Sequence, residues 1–88
     1  MSKVSNAKQL LELYNHGERN FEGSNLDGAN LSGVKLKEIN LSRTSFRKAD
    51  LTEADLSDAI LFQADFSTAI LNRVELSRVY EANLIAGE

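Results

Sequence analysis

The feature that most constrains this chain is a large apolar residue at every fifth position over about two thirds of its length. The series has twelve members, which we call the unit centres: Phe21, Leu26, Leu31, Leu36, Leu41, Phe46, Leu51, Leu56, Leu61, Phe66, Leu71 and Leu76. A helix buries residues about 3.6 apart and a strand buries every second residue, so neither element places this series on one buried face. A five-residue unit buries its apolar side chain only by stacking on copies of itself, which predicts a solenoid.

A second ladder of mostly small or aliphatic residues lies two positions before each centre. Its members are Arg19, Ser24, Ala29, Val34, Ile39, Thr44, Ala49, Ala54, Ala59, Ala64, Ala69 and Val74. Segments such as Ala29-Asn30-Leu31, Ala49-Asp50-Leu51 and Ala64-Asp65-Phe66 resemble the A(D/N)LXX unit of the pentapeptide repeat family. The resemblance implies an all-β solenoid, a right-handed quadrilateral β-helix in which each unit forms one side of a square coil and both ladders point inward.

If four units close one coil, twelve units make about three coils and residues twenty apart lie above one another. We therefore expect Phe46 and Phe66 to stack as adjacent rings. The same register predicts four charge pairs between neighbouring coils: Asp27 with Arg47, Lys35 with Asp55, Glu53 with Arg73, and Asp58 with Arg78. Opposite charges directly across strands stabilise by about 0.2–1 kcal/mol.

Residues 1–17 are predicted to form a lead-in and a helix that caps the first coil. The first five residues are expected to be loose, and the helix to begin with Asn6 as its N-cap and to stop at Gly17. Its apolar face consists of Ala7, Leu10, Leu11 and Tyr14. Because Phe21 and Leu26 would otherwise meet water at the open end of the first coil, we expect the helix to cover them.

Polar positions within the units have a structural explanation. Glycine ends three consecutive units, at Gly23, Gly28 and Gly33, where a turn favours a residue that tolerates positive φ. Asn or Asp precedes most centres, and both residue types bond their own backbone at a bend. Ser24 and Thr44, in the inward ladder, are expected to bond backbone groups at the corners.

The repeats are predicted to occupy residues 18–78, and residues 79–88 to form an irregular C-terminal cap or a partial fourth coil. The period fails after Leu76, because Glu81 falls at the next centre and Ala82-Asn83-Leu84 restarts the motif three residues late. Two interpretations of this end stay open: it covers the apolar groups near it, or it leaves an exposed patch that binds a second copy or another protein. The candidate patch consists of Ile60, Phe62, Ile70, Tyr80, Leu84 and Ile85.

Catalytic, metal and cofactor sites have almost no support in the sequence. There is no cysteine, and the single histidine, His16, is predicted to interact with the last carbonyls of the helix. The longest apolar runs are far shorter than a membrane span, and the N-terminus lacks the pattern of a signal peptide. We therefore expect a cytoplasmic protein that is not an enzyme and binds no membrane, and the resemblance implies a bacterial, cyanobacterial-type source.

Two functions fit a pentapeptide repeat protein of this size. The favoured one is a structural or protein-interaction module that binds an unknown protein, or a second copy through its C-terminal end. The alternative, implied by some members of the family, is a DNA mimic that regulates a type II topoisomerase such as DNA gyrase. The expected pairs neutralise most of the local acidic residues, and a net charge of −3 provides only a weak field for mimicry. Direct binding of nucleic acid is not expected.

Overall fold

Parallel bridges between residues twenty apart organise the fold. The computed structural model describes residues 2–81, in which helix α1 spans Ala7–Asn15. The strands are isolated bridges rather than extended ladders: Asn20–Asn40, Asn25–Ser45, Asn30–Asp50, Lys35–Asp55, Asn40–Ile60, Ser45–Asp65, Asp50–Ile70, Asp55–Glu75 and Ile60–Tyr80. The predicted register is confirmed, and we call each twenty-residue circuit a coil. Pairing reaches Tyr80, two residues beyond the expected end of the repeats.

Three kinds of backbone hydrogen bond hold one coil on the next. The N–H of a centre donates to the carbonyl nineteen residues later, as from Phe21 to Asn40 at 2.9 Å. The N–H two residues after the centre also donates upward, as from Gly23 to Ser42 at 2.8 Å. In the opposite direction, the Asn40 N–H donates to the Arg19 carbonyl at 2.7 Å. Backbone groups of inner coils are thereby satisfied without extended strands.

A tight turn follows each centre and bends the chain at the corner. The carbonyl of Leu51, for example, accepts a hydrogen bond from the N–H of Ala54 at 2.9 Å. The second residue after every centre has positive φ, the sign required at the third position of a type II turn. Gly23, Gly28 and Gly33 adopt φ between 70° and 79°, as predicted. Nine non-glycine residues take the same conformation in the later units: Glu38, Arg43, Lys48, Glu53, Asp58, Gln63, Thr68, Arg73 and Arg78.

The core consists of the two inward ladders. Every centre from Phe21 to Leu61 is fully buried, and Phe66 is 3% exposed. The rings of Phe46 and Phe66 stack with their centroids 4.6 Å apart and their planes 3° apart, which confirms the predicted pair. Burial weakens at the last two centres, where Leu71 is half-buried and Leu76 is 41% exposed.

The N-terminal segment is ordered against the first coil, so the expectation of a loose lead-in was wrong. The Ser2 N–H donates to the Asn20 carbonyl at 2.9 Å, and the Val4 carbonyl accepts from the Asn25 N–H at 3.0 Å. Val4 is 5% exposed and lies twenty residues before Ser24, within the inward ladder. The ladder therefore begins one coil earlier than the run of centres suggested.

Helix α1 packs its apolar face on the same core. Leu10 is fully buried, and Ala7, Leu11 and Tyr14 are partly buried against the core cluster. The Asn6 side chain accepts from the Gln9 N–H at 2.9 Å, which confirms the N-cap, and Gly17 follows the helix with φ +100°. The helix begins directly after its predicted N-cap and ends at Asn15, and residues 16 and 17 form the turn that follows it.

Side chains at the bends bond the backbone as expected. The Asn25 side-chain oxygen accepts from the Asp27 N–H at 3.0 Å, and the same contact recurs from Asn20 to Asp65 where Asn or Asp precedes the centre. The Ser24 hydroxyl donates to the Phe21 carbonyl at 2.7 Å and accepts from the Val4 N–H at 2.9 Å. The Thr44 hydroxyl also donates to the Phe21 carbonyl, at 3.4 Å.

Candidate interaction surface

A concavity of about 360 Å³ on one side of the solenoid contains two of the predicted patch residues. We call this surface the Phe62 face; it is lined by Glu22, Asn40, Ser42, Arg43, Ile60, Phe62 and Gln63. Phe62 is 42% exposed, whereas Ile60 is half-buried. The repeat explains their positions, because Ile60 stands one residue before the centre Leu61 and Phe62 one residue after it, and both positions face outward.

Tyr80 extends the apolar part of the Phe62 face. It pairs with Ile60 through a parallel bridge and is 60% exposed. The sequence register predicted this position, and the structure brings Ile60, Phe62 and Tyr80 together on adjacent positions of two neighbouring coils. Large apolar groups exposed next to one another are typical of binding surfaces.

Ile70 does not belong to this surface. It is 44% exposed, but it pairs with Asp50 and lies ten residues, half a coil, from Ile60. It is also absent from the lining of the concavity. The predicted patch is therefore divided between two separate columns of the solenoid. Leu84 and Ile85, the remaining predicted members, lie outside the described residues.

An ion pair forms the polar rim of the Phe62 face. The Arg43 guanidinium contacts the Glu22 carboxylate, which lies in the coil below. The sequence did not predict this pair, because the two residues are separated by 21 positions rather than 20. The long arginine side chain reaches a residue one position away from the one directly below it. A register that pairs only residues twenty apart does not include such diagonal contacts.

Two of the four predicted charge pairs form among the described residues. Arg73 contacts Glu53 at 3.1 Å, and Arg78 contacts Asp58 at 2.8 Å. The hydrogen bond from Arg78 is the main reason that the pKa of Asp58 is lowered, and Asp58 in turn raises the pKa of Arg78. Residues 50–58 contain four acidic residues and no Lys or Arg, and these pairs neutralise two of the four, Glu53 and Asp58.

In place of the other two predicted pairs, the aspartates accept hydrogen bonds from hydroxyl and backbone donors, Asp27 from the next coil and Asp55 from its own turn. The Asp27 carboxylate accepts hydrogen bonds from the Arg47 backbone N–H at 3.0 Å and from the Ser45 hydroxyl. The Asp55 carboxylate accepts from the Ser57 hydroxyl at 2.6 Å and from the Ser57 N–H at 3.0 Å. The hydroxyl bond is the main reason that the pKa of Asp55 lies below its usual value. No direct ion pair forms at either position, because hydroxyl and amide donors lie closer, but Lys35 pairs with Asp55 through a bridge and its charge contributes to the lowered pKa of Asp55.

The C-terminal end of the described chain presents a second apolar concavity, of about 240 Å³. Its lining includes inward residues of the last units and one acidic residue: Leu56, Leu61, Phe66, Leu71, Val74, Leu76 and Glu81. Sequence reasoning placed Leu71 and Leu76 in the core and did not single them out. The available signal was their position, because the next centre position after Leu76 holds the charged residue Glu81.

A third concavity, of about 520 Å³, lies between the lead-in and helix α1. Lys3, Val4, Gln9, Glu12, Leu13 and His16 line it. His16 interacts with the Glu12 carbonyl through Nδ1 at 2.7 Å, which confirms its predicted role at the end of the helix. This contact accounts for His16 structurally.

Residues 2–81 contain no cluster of three or more side chains suited to bind a metal ion. No helix within the same range is long and apolar enough to cross a membrane. Each buried side-chain nitrogen or oxygen in the described part of the chain has a hydrogen-bond partner. The buried polar side chains of this range therefore form their hydrogen bonds within the protein.

Comparison with known proteins agrees with the repeat pattern. Residues 24–62 and 49–80 match the family described as pentapeptide repeats, with eight copies. No curated protein matches the sequence. A pentapeptide repeat protein, Rfr23 from the cyanobacterium Cyanothece 51142, has a similar solved structure, with a TM-score of 0.52 and 24% identity over 75% of this chain and 59% of its own.

A second solved structure is HetL from the cyanobacterium Nostoc sp. strain PCC 7120, a pentapeptide repeat protein involved in heterocyst differentiation regulation. It is 34% identical, covers 84% of this chain with a TM-score of 0.50, and is matched over 35% of its own length. The chain thus spans less than two thirds of either protein. These likenesses imply a right-handed quadrilateral β-helix, and the chain belongs to the pentapeptide repeat family.

Proposed function

We propose that this chain is a non-catalytic protein-interaction module in which helix α1 caps about three coils and the Phe62 face binds a protein partner. The observation that carries the proposal is the exposure of Phe62 and Tyr80 next to Ile60. Most outward positions of the earlier coils hold polar or charged residues. A partner that buries these three side chains removes from water the main apolar groups on that side.

The chemistry of the Phe62 face favours a partner with an apolar anchor and a polar periphery. Aromatic side chains and arginine are enriched where binding energy is concentrated, and Phe62 and Arg43 lie in the same concavity. Gln63 and the Arg43–Glu22 pair provide polar groups around the apolar centre. Such a surface suits either a second copy of the chain or another protein. HetL's involvement in regulation suggests one setting for such binding.

The test compares single charge substitutions inside and outside the face. Phe62→Glu and Tyr80→Glu are expected to abolish a dimer measured by light scattering, or to abolish capture of a partner from the native cell. Asn72→Glu is the matched control, because Asn72 is exposed in the same coil but does not line the concavity. If both variants match the wild type in mass and in partner capture, the proposal fails.

DNA mimicry is the weaker candidate. The ion pairs of Glu53 and Asp58 with arginine interrupt a continuous anionic surface, and a net charge of −3 provides little field. We therefore expect no effect on supercoiling by purified DNA gyrase at micromolar protein. Clear inhibition in that assay would favour mimicry over the interaction module.

A further inference from the structure

One column of the Phe62 face is concave in the middle. Residues twenty apart stack, so Glu22, Ser42 and Phe62 follow one another along the solenoid, and all three line the concavity. Phe62 is 42% exposed and the Glu22 side chain 31%, whereas Ser42 between them is 5% exposed. The short serine side chain therefore leaves a notch between two larger groups, one coil below the exposed phenylalanine ring. We call it the Ser42 notch.

The Ser42 notch and the Phe62 ring make this face complementary to itself in shape. Successive coils lie one strand spacing apart, about 4.8 Å. Consider a two-fold axis that lies in the face, perpendicular to the solenoid and midway between Ser42 and Phe62. This axis places the ring of each copy against the notch of the other. Because both copies in a two-fold dimer use the same patch, one ring and one notch per chain form two identical contacts.

The charges of the face agree with this antiparallel arrangement. The axis places Gln63 of one copy opposite Arg43 of the other, and Ile60 opposite Asn40, so no like charges meet at these positions. Arg43 contacts Glu22 of its own chain, and its guanidinium has further N–H groups that can donate to the Gln63 amide oxygen. A parallel dimer, with the axis along the column, instead brings Glu22 against its own copy, which is unfavourable. It also leaves the two notches facing each other unfilled.

We propose that the partner at the Phe62 face is a second copy of this chain, packed antiparallel with each Phe62 ring in the Ser42 notch of the other copy. The inference rests on the proposed function, because it names the partner of the same surface. The molecule measures 31 × 23 × 20 Å, so one side offers only the area of a small interface. We therefore expect a weak dimer that forms at micromolar concentrations or above.

Analytical ultracentrifugation of two single variants tests whether the ring occupies the notch. Phe62→Ala removes the ring, whereas Ser42→Leu fills the notch and adds apolar surface to the face. We expect each variant to raise the dimer dissociation constant about tenfold or more, the usual effect of a change at an aromatic anchor. The result for Ser42→Leu separates a specific contact from general apolar adhesion, because added apolar surface would strengthen general adhesion.

Ser32→Leu is the matched control, because Ser32 holds the same position in its unit, is exposed and does not line the concavity. It should leave the dissociation constant within about twofold of the wild type. Arg47 and Phe62 carry larger side chains at the equivalent position of their units, so the fold is expected to accept Ser42→Leu. Circular dichroism checks this. If that variant does not fold, Ser42→Val should weaken the dimer in the same direction to a smaller extent.

A mixture of the two variants tests the antiparallel arrangement itself. In the heterodimer, the ring of the Ser42→Leu chain enters the notch of the Phe62→Ala chain, and at the other contact the leucine fills the space left by the missing ring. The mixture should therefore contain more dimer than either variant alone at the same total concentration. A mixture without this gain would overturn the arrangement.

The oligomeric state of the wild type separates this inference from the proposed function. A wild-type chain that stays monomeric up to millimolar concentration would overturn the inference. The proposed function would survive that result if Phe62→Glu abolished capture of a different protein. Both would fail if the wild type were monomeric and Phe62→Glu left capture unchanged.

Discussion

The two ends of the solenoid are built from the same repeat but are covered differently. At the N-terminal end, Val4 and Leu10 are buried and the Tyr14 hydroxyl donates to the Lys37 carbonyl at 2.7 Å. At the other end, the centres Leu71 and Leu76 are partly exposed. Because inner units differ little from one another, the ends determine where a short solenoid is strong and where it opens.

Truncation of one leucine at each end tests this difference and is expected to give the largest effect. Leu10→Ala should lower the free energy of unfolding by about 2–5 kcal/mol, because it leaves a cavity under the first coil. Leu76→Ala should cost less than about 1 kcal/mol, since much of that side chain already contacts water. Urea unfolding measures both values. Equal losses would contradict the contrast between a covered and an open end.

Removal of one hydroxyl tests the attachment of the lead-in. Ser24→Ala leaves the buried Val4 N–H without the acceptor that it has at 2.9 Å. We expect a loss of about 1–3 kcal/mol in the free energy of unfolding, the usual cost of an unsatisfied buried donor. Ser32→Ala, at an exposed position, should change stability by less than about 0.5 kcal/mol. A Ser24 variant as stable as the Ser32 control would mean that the lead-in contributes nothing.

Turn conformation provides a smaller contrast between early and late units. Thr68 adopts φ 59°, a conformation that is strained for a β-branched residue. Thr68→Gly should stabilise by about 0.5–1 kcal/mol, because relief of strain exceeds the entropy added to the unfolded chain. Gly28→Ala should destabilise by about 1 kcal/mol through φ alone, since no atom lies within 4 Å of the added Cβ. Thermal unfolding measures the change in stability of both variants. Changes of the same sign would contradict the assignment of backbone strain to Thr68.

Acid is expected to produce the smallest effect, because the carboxylates concerned are solvent-accessible. Hydrogen bonds from Thr52, Ser57 and Ser67, first from their hydroxyls and then from their N–H groups, lower the pKa of three aspartates: Asp50, Asp55 and Asp65. A lowered folded-state pKa gives stability that is present above the unfolded value of about 3.9 and is lost as pH falls through the folded value. The first three units carry Asn at the position before the centre, and Asn does not titrate.

The measurement for this prediction is urea unfolding between pH 5 and pH 2. The triple variant Asp50→Asn, Asp55→Asn and Asp65→Asn should lose less stability over this range than the wild type. The asparagine side chain retains an oxygen that accepts the turn N–H, as it does at Asn25. Identical pH dependence of the two proteins would show that these bonds do not contribute to acid stability.

The sequence predicted the register, the inward ladders and the Phe46–Phe66 stack because all three follow from the period of five. It also predicted the N-cap, since Asn6 acts on a neighbouring N–H. It failed where a contact depends on side-chain reach or on a single residue outside the run of centres. Arg43 reaches Glu22 diagonally, and Val4 shares the inward ladder without a centre beside it.

The candidate surface could be predicted only in part. Exposure of Phe62 followed from its outward position, and the pairing of Tyr80 with Ile60 followed from the register. The separation of Ile70 from them was also present in the register, as a difference of ten residues. Ile70 was grouped with Phe62 because both are apolar residues at outward positions. In the coil, however, residues ten apart lie half a circuit from each other and belong to different columns.

The twenty-residue register is the claim on which both the fold and the Phe62 face depend. Backbone nuclear Overhauser effects in solution test it most directly. We predict contacts between residues twenty apart, such as Asn40 with Ile60 and Asp50 with Ile70. Contacts at another constant separation, or none between these pairs, would contradict it.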